Sequence, residues 1–154
     1  MLIRLMCLFC VIFFNYGGVM GLENLSQSFS EYRQIKIINN GQELVLEKGN
    51  DKAEVVMDAL REVAVGSHEM PALGVSIDHL TREEMNSGLW LEIEFDTAYK
   101  YNGMPFESLL INVEKGMGGV NIIRKCNGKY DGRCFYLSLN SSMDLLYDKM
   151  ISVL

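Results

Sequence analysis

The sequence lacks an apolar run long enough to span a bilayer, carries little basic charge, and contains only two histidines, His68 and His79. Each shortage excludes something. A membrane-crossing helix needs about 20 apolar residues, and the greasiest stretch, Leu5 to Phe14, is near half that. Fourteen Lys and Arg against twenty Asp and Glu give a net charge of -6. That balance argues against a nucleic-acid surface or an anionic-lipid surface, where cationic patches supply the affinity. The histidines have no recognisable metal spacing relative to the cysteines, so no metal site is expected. No internal repeat or low-complexity segment is apparent, and no motif points to a cofactor.

What is present begins with the first stretch, MLIRLMCLFCVIFFNYGGVMG, in which Arg4 precedes the apolar run. A short basic region, an insertable hydrophobic core and small residues beyond it form the layout of a secretory signal. Val19 and Gly21 fit the small-residue positions before a cut, so cleavage is expected after Gly21. A retained anchor is the alternative, and membrane contact would then run only through this segment. Acylation is not expected, because Cys7 follows Met6 and Cys10 follows Phe9 rather than a small residue. The expected organisation is a signal peptide over 1–21, a polar leader over 22–33 and one domain over 34–154. That domain is long enough for its own core.

Cys126 and Cys134 are the cysteines left after such a cut. An even pair in an oxidising compartment suggests a disulfide, with free thiols as the alternative. The intervening NGKYDGR reads as a turn-rich loop that would set the two sulfurs across a hairpin.

Periodicity supplies the elements. IKII and ELVLE flank Asn40-Gly41, a strong hairpin signal. In DKAEVVMDALREVAV, Ala53, Val56, Ala59, Leu60 and Val63 form a helical stripe, with Asp51 and Glu54 as a capping box and Gly66 as the stop. Gly74 to Asp78 suggests a short strand, and Thr81 with Glu84 suggests a capped helical turn ended by Gly88. LWLEIEFD alternates, so Leu89, Leu91, Ile93 and Phe95 should be buried while Trp90, Glu92, Glu94 and Asp96 face water. SLLINVE, VNIIRKC and CFYLSL follow on short connections, including the glycine-rich Gly116 to Gly119, and imply an antiparallel meander. Ser141 with Asp144 should cap a last helix carrying Leu145, Leu146, Met150 and Ile151. The fold class expected is α+β: an antiparallel sheet with two main helices on one face, preceded by the signal segment.

The candidate chemistry is sparse. Glu92, Glu94 and Asp96 are expected to spread along a solvated face, with Arg124 or Lys125 as cross-strand partners. Glu92 and Glu94, together with the aromatic group Tyr99, Tyr101 and Phe106 near Asn102-Gly103, are the candidate binding residues, although such aromatics also serve as core cover. His68 beside Glu69 and His79 beside Asp78 could act as general bases, but no nucleophile accompanies them. Gly116 to Gly119 lacks the lysine and the following helix of a phosphate loop. Asn24-Leu25-Ser26 and Asn140-Ser141-Ser142 match the N-glycosylation pattern.

The expectation is therefore a secreted or periplasmic, non-catalytic binding protein, of inhibitor or immunity type, whose protein partner presents a basic surface. A small exported hydrolase using His68 or His79, or a structural envelope domain, are the alternatives.

Overall fold

In the computed structural model, which describes residues 19–71 and 74–154, the chain opens with Met20–Gly21 (β1) and a 3-10 helix over Leu25–Ser30. Tyr32–Asn39 (β2) and Gln42–Glu47 (β3) follow, then Asp51–Ala64 (α1), His68–Met70 (β4), Val75–Ser76 (β5) and Asp78–Glu84 (α2). The remainder is Leu89–Tyr101 (β6), Met104–Asn112 (β7), Gly119–Lys125 (β8), Gly132–Arg133 (β9), Phe135–Ser138 (β10) and Asp144–Val153 (α3). The expected signal segment falls mostly on residues outside those described. Among the described residues no helix is long and apolar enough to cross a membrane.

The fold is α+β. One eight-stranded sheet runs in the order β3-β2-β6-β7-β8-β10-β4, with β1 lying parallel against the far end of β6. Every other pair in it is antiparallel, and β6, β7, β8 and β10 form the expected meander. The β2–β3 turn sets Asn40 and Gly41 at φ 50° and 80°, the left-handed pair that matches strand twist in a two-residue hairpin. After α1 the chain crosses to the opposite edge to make β4. It returns through β5 and α2 to place β6 beside β2.

Alternation sorts the two faces. Ile35 and Ile37, Leu91 and Ile93, Leu109 and Ile111, and Val120 and Ile122 point to one side, where α1 and α3 lay Val56, Leu60, Leu146 and Met150 on them. The expected stripe of α1 is thus core; in α3 Leu146 and Met150 are buried as expected, but Val153 takes the place of Ile151, which is exposed. Leu25 and Phe29 enter the same core at 0% and 1% exposure. The stretch read as a polar leader therefore belongs to the domain: Ser26, Ser30, Glu23 and Glu31 face water, while Leu25 and Phe29, four apart, fill the gap beside α1 and Ser28 is buried with its hydroxyl donating to Leu25 O at 2.6 Å.

Caps differ from the expected ones. Asn50, not Asp51, caps α1 by accepting from Lys52 N at 2.9 Å, and Glu54 accepts from Gly49 N at 3.1 Å and the Tyr32 hydroxyl at 2.5 Å. Thr81 lies buried inside α2, whose first amide, on Asp78, donates to Asp131 Oδ1 at 2.7 Å. At α3, Ser142 rather than Ser141 accepts from Asp144 N at 3.3 Å. The N-cap residues of α2 and α3, Ile77 and Met143, carry no capping side chain.

The expected disulfide is absent: Cys126 and Cys134 are both free thiols. The chain reverses at once after Cys126, through Asn127-Gly128, and Cys126 N and O bond Lys129 at 2.9 and 3.1 Å. Phe135 pairs with Ile122, so continuing that register sets Cys134 near Ile123, three residues short of Cys126. At about 3.3 Å per residue the offset is roughly 10 Å, beyond the ~7 Å Cα separation a disulfide tolerates.

Candidate functional site

The second face of the sheet is not uniformly wet. Ile38, Trp90, Leu110, Ile123, Tyr130 and Cys134 form a smaller core on it, closed by Met85 just beyond α2. A set of polar ties holds α2 there. Asp78 accepts from Tyr130 N at 2.9 Å and from Arg82 Nε at 3.0 Å, while Arg82 donates to Gly128 O at 2.9 Å and stacks 4.9 Å from the Tyr130 ring centroid.

This cover buries Glu92, which the strand period alone had placed in water; its exposure is 0%. Glu92 Oε1 accepts from Ser108 Oγ at 2.7 Å, the Tyr130 hydroxyl at 2.8 Å and Lys125 Nζ at 3.3 Å, and Lys36 Nζ lies 3.5 Å from Oε2. Desolvation pushes the carboxyl up, but the Ser108 hydrogen bond, the Lys125 charge, the Tyr130 hydrogen bond and the Lys36 charge together outweigh it. Glu92 is held below its ordinary value. The same burial, with the adjacent carboxylate, drives the Tyr130 hydroxyl far above its usual range. With no exposed atom, Glu92 is a structural ion and is corrected from binding candidate to core. Lys125 is its cross-strand partner as expected; Arg124 points to the other face, where it bonds Arg133 O and Pro105 O, each at 2.7 Å.

Glu94 is half engaged, ion-paired to Arg33 at 3.1 Å and to Lys36 at 3.8 Å. Tyr99, Tyr101 and Phe106 are buried at 7%, 8% and 0%. Phe95 packs edge-on against Tyr99 and Phe106 at 5.3 and 5.6 Å between ring centroids. The aromatic group closes one end of the core instead of forming a recognition tip. Tyr101 also lines a cavity.

Neither histidine joins its neighbouring acid. His68 is exposed on the edge strand β4, while Glu69, pointing to the other face, takes hydrogen bonds from Leu25 N and the Tyr101 hydroxyl. His79 is exposed on α2, while Asp78 is committed to Arg82 and Tyr130. Consecutive side chains diverge here as strand and helix geometry require. No group of three or more potential metal ligands occurs among the described residues.

What the fold does assemble on the second face is a groove. Two hollows, about 190 and 260 Å³, share Glu84, Asn121 and Ile123 and so run into each other. Trp90, Ile123 and Cys134 make the floor. Val75, Ile77 and Leu80 form one wall and Met117 the other, and these four are 69%, 48%, 45% and 48% exposed. Glu84 and Glu114 are the only charged residues lining it, and no Lys or Arg does. The sequence signal for this site is the apolar trio in GVSIDHL, which reads as strand and turn until the structure shows that nothing within the described residues covers it.

No family model, curated protein or solved structure matches the chain, which leaves the groove to be read from its own geometry and charge.

Proposed function

We propose that this chain is an exported, non-catalytic binding protein that holds a basic, amphipathic segment of a partner protein in the groove on the second face of its sheet. The observation that carries the reading is the groove's composition: exposed Val75, Ile77, Leu80 and Met117 beside Glu84 and Glu114, with no cation among the lining residues. Exposed apolar clusters rimmed by polar groups mark interaction sites. A segment with an apolar face and flanking Lys or Arg matches both components, and the chain's net charge of -6 favours its approach. Export rests on the apolar run behind Arg4.

A photo-crosslinking residue at position 80, in the protein expressed in its native cell, should trap one partner whose cross-linked peptide is basic and amphipathic. The same probe at Val65, exposed just past the end of α1, should not. Equal trapping from both positions, or an acidic cross-linked peptide, would overturn the reading. Leu80→Glu should weaken the purified complex by about tenfold or more, and rising salt should weaken it further.

A further inference from the structure

We infer that a second, smaller site, sharing no residue with the groove, binds the ammonium group of a small amine. The cavity is about 270 Å³ and is lined by Glu69, Tyr101, Met104, Phe135 and Tyr136 among others. The Tyr101 and Phe135 rings and one carboxylate converge there. The Tyr101 and Phe135 rings meet edge to face, with centroids 5.5 Å apart.

Glu69 is the only charged residue lining the cavity, and no basic side chain lies within ion-pair distance of it among the described residues. Arg61, which lines a neighbouring hollow with Glu69, is held by Asp58 at 2.6 Å and Glu54 at 3.8 Å. Internal donors orient the Glu69 carboxylate: Leu25 N reaches Oε1 at 3.2 Å and the Tyr101 hydroxyl reaches Oε2. Each oxygen has two lone-pair directions, so one donor apiece leaves capacity for further N–H groups. An oriented anion without a countercharge, beside the Tyr101 ring, whose π face attracts cations, fits an ammonium; the methionine and aromatic walls fit the apolar body attached to it. A cavity of this volume holds a body of a few carbons or one ring. The shared chemistry is an alkylammonium, whether of a free amine or of a lysine side chain.

Calorimetry on the full folded domain should detect phenethylammonium or n-butylammonium and find no binding of 2-phenylethanol, the neutral analogue of the first. Nα-acetyl-lysine methylamide is the second arm. Binding of the free amines alone assigns a small-molecule site, and binding of the capped lysine as well assigns recognition of the side chain. Glu69→Gln should weaken binding about tenfold or more by removing the charge. If Glu69→Gln fails to fold, Met104→Ala, at a half-buried wall of the cavity, should weaken binding severalfold. Leu80→Glu should leave amine binding unchanged, so the groove reading and this one fail separately. Equal affinity for the alcohol, no binding of any amine, or full binding by Glu69→Gln would overturn the inference.

Discussion

The Tyr130 hydroxyl donates to the Glu92 carboxylate at 2.8 Å across 38 residues of chain, tying the turn beneath α2 to the centre of the sheet. That bond and its neighbours make Glu92 the pivot of the second face. Lys36 from β2, Ser108 from β7 and Lys125 from β8 all converge on it.

Removing the pivot should cost more than removing one spoke. Glu92→Gln leaves two ammonium groups facing a neutral amide and should destabilise the domain by about 2–4 kcal/mol. Tyr130→Phe should cost about 1–3 kcal/mol for the lost hydrogen bond to a charged group. Urea unfolding of both single variants and the double variant measures the coupling. A double variant whose loss equals the sum of the singles would show that the two side chains act independently.

Acid should reveal the same group. Because Glu92 is held below the ordinary carboxyl value in the folded state, its contribution is fully present above the unfolded value of about 4.3 and is lost as the pH falls through the folded one. The stability gap between the native protein and Glu92→Gln should stay constant near neutrality and narrow in acid. A gap that widens below the unfolded value would reverse the assigned sign.

The thiols should stay unpaired. Intact mass should be the same with and without reductant, and a thiol reagent should modify partly exposed Cys126 in the folded protein. Cys134 should react only on unfolding, since burial is the main force pushing its thiol up and away from the reactive thiolate. A quantitative Cys126–Cys134 crosslink in native material would show that the β8–β10 register differs from the one described.

The segment before β2 should prove indispensable only in part. A chain starting at Leu22 loses β1 but keeps the Leu22 N bond to Lys100 O at 3.0 Å, along with Leu25 and Phe29, and should remain folded. Phe29→Ala should lower stability by about 3–5 kcal/mol through the cavity it leaves. Thermal melts of the two proteins check this; a chain starting at Tyr32 with unchanged stability would remove the segment from the core.

Much of the backbone was legible because its signals are local. Asn40-Gly41 needs no tertiary information to demand a tight hairpin, the stripe from Ala53 to Val63 marks a helix by its period, and short connections after β6 leave few options besides a meander. The site residues were less legible. Glu92 and Glu94 share a strand period, and nothing along the chain distinguishes the one that Tyr130 covers from the one left at the rim.

Local pattern alone therefore determined the first hairpin, α1 and its buried stripe, the strands of the meander and the surplus of negative charge. The long-range arrangement decided that Glu92 is buried, that Leu25 and Phe29 complete the core, that the cysteines miss each other, and that Val75, Ile77 and Leu80 line an open groove. The reason is physical: hydrogen-bonded turns and periodic burial depend on near neighbours, whereas burial of a particular carboxylate or the opposition of two sulfurs depends on which distant segment packs above it and in what register.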